Sequence, residues 1–251
     1  MDTQILMRTA MLAGEMMLCS GAETYRVEDT MGHILKTAEN LETAEVLVLM
    51  TGITASLKCR GQEAVTMIKR VDDRGTNLGR IVEVNDISRK YCGRQISLEE
   101  TWNRLEALHQ KKYRQNLWSI PGITAGFSLM FGGTFPDVCA AALTGGVLFA
   151  VLYFLRRMRV HAFIQDVISS ALIAVVAFGI SIFLNGSVNT DNVIISAIMP
   201  LVPGMAITNA VRDTLQGDYI SGAARTLEAF LKAAGIALGV GIGLAVFQRF
   251  L

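Results

Sequence analysis

The chain has 251 residues, 51% of them hydrophobic and 18% charged, with a formal net charge of +1 at neutral pH. That is too apolar for an ordinary soluble domain of this length and too charged for a pure membrane bundle, and a balanced charge without basic runs argues against nucleic acid as a partner. Four scattered cysteines (Cys19, Cys59, Cys92, Cys139), no C-x-x-C pair and only three histidines support neither a disulfide framework nor a structural zinc site. No metal or other cofactor is expected.

The charge is unevenly divided. Residues up to Asn116 hold 16 of the 23 basic and 16 of the 22 acidic side chains. The expected fold is an α+β cytosolic domain over 1–116 followed by an all-α membrane bundle of five transmembrane helices over 117–251.

In chain order, the first residues read as an amphipathic helix without the cleavage-type end of a secretory signal. Ile5, Thr9, Leu12 and Met16, then Val27, Met31, Ile34 and Ala38, keep helical spacing. Residues 45–51, 53–59 and 64–71 are β-branched and partly alternating, as strands are. A turn at 72–77 (DDRGTN) leads to helices at 78–92 and 98–112, the second opened by Ser97 with Glu100 three residues on, a capping-box spacing.

The charged stretch GAETYRVEDT at 21–30 has two readings. Ser20 and Glu23 have the spacing of a capping box, and Arg26 with Asp29 or Thr30 fits a surface pair along a helix. The same charges, Glu23, Arg26 and Glu28 among them, also suit a functional motif.

Five uncharged stretches follow at 117–133, 138–155, 167–184, 193–211 and 229–247, the last with Lys232 near one end. Each is close to the roughly 20 helical residues that cross a bilayer. Lys111, Lys112 and Arg114 precede the first; Arg156, Arg157 and Arg159 lie between the second and third; Arg212, Arg225 and Lys232 lie around the loop between the fourth and fifth. The two opposite loops carry no basic residue, and only Arg249 departs from the pattern. The positive-inside rule then puts the N-terminus in the cytosol and the C-terminus outside a multi-pass inner (plasma) membrane protein. Transporters often join two bundles of inverted topology. Five spans make one such bundle.

The run MPLVPGMAITNAVRDTLQGDYISGAAR at 199–225 departs from a plain membrane helix. Pro200 and Pro203 each remove a backbone donor, so the helix should break near Pro203-Gly204 and restart at about Met205. Such breaks inside a bilayer are tolerated against protein or a cavity and point to a substrate pathway. Beyond it, Asn209, Arg212 and Asp213 precede Gly217, Asp218, Ser221, Gly222 and Arg225. Arg212 suits a substrate carboxylate, and Asp213 or Asp218 a proton or an ammonium. The competing reading is a cytosolic loop with an Arg–Asp surface pair and glycine turns. Gly235, Gly239 and Gly243, with Gly241 beside them, and Gly122 with Gly126 read as helix-packing faces.

No G-x-x-x-x-G-K-[ST], H-E-x-x-H or G-x-S-x-G occurs, so neither ATP-driven transport nor a standard hydrolase is expected. An intramembrane aspartyl pair of Asp166 and Asp218 is the one enzymatic alternative. Both fall at cytosolic span ends, where carboxylates are normally solvated.

GAETYRVEDT, RVDDRGTNLGRIVEVNDISR at 70–89 and PGMAITNAVRDTLQGDYISGAAR at 203–225 resemble the threonine/serine exporter family. Within it, the chain is similar to the longer, N-terminal-half subunit of the split two-chain form, also associated with succinate export in enteric bacteria. The resemblance covers nearly the whole chain. It implies a non-enzymatic inner-membrane exporter of small carboxylates, threonine and serine or dicarboxylates, whose pathway includes Pro203, Gly204, Asn209, Arg212, Asp213, Asp218, Ser221 and Arg225, with Glu23, Arg26 and Glu28 as a cytosolic motif. It further implies that the lipid bilayer and a small-molecule carboxylate are partners, together with a second short membrane subunit, a homo-oligomer, or both. The alternative role is a non-transporting assembly or regulatory subunit.

Overall fold

A computed structural model describes residues 2–72, 74–111 and 117–250. Asp73, Lys112, Arg114 and the domain border expected after Asn116 lie outside the described residues. The chain clusters into two compact units, one of Met1–Tyr113 with Met205–Leu227 and the other of Arg114–Gly204 with Glu228–Leu251.

The first unit opens with α1 (Thr3–Cys19), whose Asp2 cap accepts the Gln4 amide at 2.9 Å. This helix is buried along most of its length, and Leu6, Met7, Ala10, Met16 and Met17 form the centre of the core. α2 (Thr24–Leu35) adds Val27, Met31 and Ile34 at the expected helical spacing. Three antiparallel strands follow in the order β1 (Leu41–Leu49), β2 (Gly52–Cys59), β3 (Val65–Arg70). The alternation in β2 explains how the sheet packs: Ile53, Ala55, Leu57 and Cys59 are buried while their neighbours are not. β1 begins four residues before the expected position. α3 (Leu78–Cys92) and α4 (Leu98–Gln110) cover α1. Ser97 caps α4 by accepting the Glu100 amide at 3.1 Å, but Glu100 pairs with Arg104 at 2.6 Å rather than completing the capping box.

The same unit contains α9 (Gly204–Leu215) from Met205 onward and the start of α10 (Tyr219–Phe250). Between them Gly217 takes φ +94°, and the Asp218 and Gly217 amides donate to the Asp213 and Thr214 carbonyls. This is a Schellman ending. Gly222 faces α9 closely, so that a β-carbon there would collide with the Thr214 hydroxyl.

The second unit consists of α5 (Ile120–Met130) behind a 3-10 turn at Leu117–Ser119, α6 (Phe135–Arg157), α7 (Ala162–Phe183), α8 (Thr190–Ile198) and the later part of α10. Several buried polar groups are paired here, as a low-dielectric interior favours. The Thr124 hydroxyl donates to the Ala141 carbonyl at 2.9 Å, the Ser128 hydroxyl donates to Asn192 Oδ1 at 2.6 Å, and Asp137 accepts the Thr134 and Asn189 amides. Gly239 and Gly243 lie against α7, at Ser170 and Val167 and at Ala171 and Ala174 respectively. Gly122, Gly126 and Gly241, expected on packing faces, have nothing within 4 Å of a built β-carbon. The close approach of α5 and α6 is made instead by Gly145 against Thr124 and Pro121.

The protein is thus mostly helical, with one small sheet. Phe135–Arg157, Ala162–Phe183 and Tyr219–Phe247 are long and apolar enough to cross a membrane, and a broken pair, Thr190–Leu201 with Gly204–Leu215, makes a fourth if counted as one span. Leu117–Met130 is apolar but shorter, because the chain turns at Gly132 with φ +75°. The expected break is present: α8 ends at Ile198, Met199–Leu201 forms one 3-10 turn around Pro200, Val202 is extended, and α9 starts at Gly204. Two prolines without amides account for it.

Candidate functional site

Gly21 lets the chain reverse between α1 and α2, with φ +85° and a built β-carbon only 2.9 Å from the Gly75 carbonyl. The Gly75 and Asn77 amides donate to the Cys19 and Ser20 carbonyls at 2.9 Å, so the turn after β3 is fastened to this corner. The result is that the Gly21–Thr24 segment meets α9 and the start of α10, all within the first unit.

Five side chains expected in the pathway hold that segment. Asn209 donates to the Gly21 carbonyl at 2.8 Å, and Arg225 donates to the Ala22 carbonyl at 2.8 Å. Arg212 is ion-paired with Glu23, and Asp218 accepts the Thr24 hydroxyl at 3.0 Å. Asp213 accepts the Thr24 amide at 3.1 Å, while its other oxygen lies 2.8 Å from Arg225 Nε. That last contact is an ion pair whose N–H is not aimed at the oxygen, so it counts as charge pairing without a hydrogen bond. Asp213 therefore caps the N-terminus of α2 from a distant part of the chain, where free amides and the helix dipole favour an anion.

This changes the expected capping. Glu23, not Ser20, is the N-cap residue of α2, and its carboxylate makes no cap bond; it pairs with Arg212 and, at 3.4 Å, with Arg26. Arg26 thus turns to Glu23, and Asp29 pairs with His33 at 3.2 Å instead. Burial pushes the Glu23 carboxyl up, but a backbone hydrogen bond and the two guanidiniums outweigh it and hold it below the ordinary glutamate value. Glu28 accepts the Val48 amide at 2.8 Å, tying α2 to β1. Burial, joined by the negative charges of Asp218 and Asp213, pushes its carboxyl up.

Ser221 is buried, and its hydroxyl has no hydrogen-bond partner among the described residues. Pro203 and Gly204 mark the helix break and belong to the second unit. Thr24, which bridges Asp213 and Asp218, was not among the expected residues; its position beside Glu23 at a helix start was the available signal. Asp166, expected to be solvated at a span end, is 6% exposed. The first turn of α7 packs against α10 at Gly235, which shields it.

The model of a family described as "Putative threonine/serine exporter" matches residues 8–247. A "Probable threonine/serine exporter" of Mycobacterium tuberculosis (strain ATCC 25618 / H37Rv) is 24% identical over 92% of this chain and 44% of the relative. The threonine/serine exporter of Corynebacterium glutamicum is 22% identical over 97% of this chain and 51% of the relative. The chain spans about half the length of these curated relatives. No solved structure matches it.

Proposed function

The chain belongs to the threonine/serine exporter family, and we propose that it forms the N-terminal half of an inner-membrane secondary exporter for small carboxylates. The family's relatives are exporters, not enzymes. Threonine and serine, which their names carry, are the first substrates to try, and dicarboxylates such as succinate the second. A second short membrane subunit, a further copy of this chain, or both are its proposed partners, beside the lipid bilayer and the carboxylate substrate. In this reading residues 1–116 are the cytosolic domain and residues 117–251 the five-span membrane domain, with the N-terminus in the cytosol and the C-terminus outside.

The observation that carries this reading is the helix break at Pro200–Pro203, which leads directly into Asn209, Arg212, Asp213, Asp218 and Arg225. An interrupted helix followed by buried charge is a common construction for an alternating-access pathway. Arg212 is paired with an internal carboxylate, Glu23, and its side chain is 55% exposed. A substrate carboxylate competing for that guanidinium would release Glu23 and loosen the Gly21–Thr24 segment. In reconstituted membranes, Arg212→Ala should lower efflux at least tenfold while the protein still inserts and purifies. Normal efflux from that variant refutes the role of Arg212.

One observation favours a second reading, in which the chain assembles or regulates a transporter: every charged group of the 209–225 stretch already holds this chain's own Gly21–Thr24 segment. Under that reading Arg212→Ala fails to co-purify with the partner.

A further inference from the structure

A cavity of about 350 Å³ lies within the second unit, at the small end of the roughly 300–1,000 Å³ typical of ligand pockets. Its apolar lining comes from α5, α6 and the 3-10 turn at the helix break, including Ile120, Leu152, Pro200 and Leu201. Its polar lining is Arg156, Gln165, Asp166 and Lys232.

Asp166 is the unusual member. It is 6% exposed, yet no hydrogen bond or ion pair to its carboxylate is formed among the described residues. Lys232 and Arg156 are near enough for their charges to act on it. One turn along α7, the Ser169 hydroxyl is also buried and without a hydrogen-bond partner among the described residues. Gly235 brings α10 against this point, a built β-carbon standing 3.6 Å from Asp166 Cβ, and Lys232 lies three residues earlier on α10. The carboxylate keeps only its contact with this cavity, and for a charge without a bonded partner that partial loss of water is a cost. A bound cationic group would offset that cost, and intramembrane acids of this kind mark ligand sites.

We propose that this cavity binds a small amino-acid zwitterion, its ammonium on Asp166, its carboxylate on Lys232 and Arg156, and its polar side chain within reach of Gln165. The opposed charges of the lining match the opposed ends of such a ligand. A dicarboxylate would set its second negative end against Asp166. The small volume and the aliphatic walls favour a short side chain. The inference deepens the exporter reading and rests on it for the ligand's movement, but not for its binding.

Equilibrium binding to the purified full chain tests it, with L-serine, 3-hydroxypropionate (serine without the ammonium), ethanolamine (serine without the carboxylate) and succinate as probes. Serine is expected to bind wild-type protein at least tenfold more tightly than the other three. Asp166→Asn should erase the preference for serine over 3-hydroxypropionate. Lys232→Gln should weaken serine at least tenfold and leave ethanolamine unchanged. The probe panel on wild-type protein decides the ligand class even if a variant fails to fold. No serine binding to wild type, tighter binding of succinate, or unchanged serine affinity in folded Asp166→Asn overturns the proposal. Serine efflux by wild type with unchanged Asp166→Asn affinity removes the site alone; serine binding without any efflux removes the transport reading alone.

Discussion

Asp213 carries more of the 209–225 network than any other residue, because it is fully buried, caps α2 through Thr24 and faces the buried Arg225. Removing one partner of a buried charge pair leaves the other uncompensated, at a cost of about 3–5 kcal/mol. Arg212 differs, since its side chain is 55% exposed and solvent screens the pair with Glu23 to about 1 kcal/mol or less. Asp213→Ala should therefore lower the unfolding free energy of the purified protein by about 3 kcal/mol and Arg212→Ala by no more than about 1. Equal losses would show that the burial of Asp213 does not set its importance.

Glu28 gives a pH-dependent counterpart at the same scale. Its folded carboxyl titrates above the ordinary 4.5, chiefly through burial, so the folded state prefers the proton. That contribution to stability is fully present below 4.5 and is lost as pH rises through the folded value. Glu23 has the opposite sign: held below 4.5, it adds stability above that value and loses it as pH falls further. Glu28→Gln keeps an oxygen for the Val48 amide and removes the titration. Thermal midpoints measured across pH 4–7 should rise for Glu28→Gln relative to wild type at the neutral end and converge at the acid end; parallel curves would contradict the assignment.

Between elements, glycine placement decides how closely helices approach. A side chain at Gly239 would run into the Ser170 hydroxyl and the Val167 carbonyl of α7, whereas Gly241 faces open space. Gly239→Val is expected to lower the melting temperature in detergent by several degrees and Gly241→Ala to leave it unchanged, since only the former forces α7 and α10 apart. Spacing alone made the four glycines look alike. Much else at this scale was legible: the period-two burial of β2, the Ser97 cap and the break at Pro200–Pro203 each follow from local chemistry. The shortness of α5 was not, because an apolar run does not reveal the turn at Gly132. Nor was the partner of Asp213, since a contact spanning 189 residues between Thr24 and Asp213 leaves no trace in local pattern. The burial of Asp166 escaped notice for the same reason, depending as it does on Gly235 of another helix.

For the whole molecule, the compact units do not follow chain order: residues 205–227 cluster with the N-terminal segment, and the two parts are joined through the broken helix and through α10. A motif near residue 21 and one near residue 213 thus form a single polar cluster. The cluster at Arg212 and the cavity at Asp166 are two separate polar sites, one in each unit. Efflux from proteoliposomes preloaded with labelled threonine, serine or succinate, made with this chain alone and with a second short membrane subunit, tests the exporter reading most directly. It predicts loss of labelled threonine or serine well above that of protein-free liposomes once the second subunit is present. Label retained at the protein-free level, with both subunits folded and inserted, would contradict it.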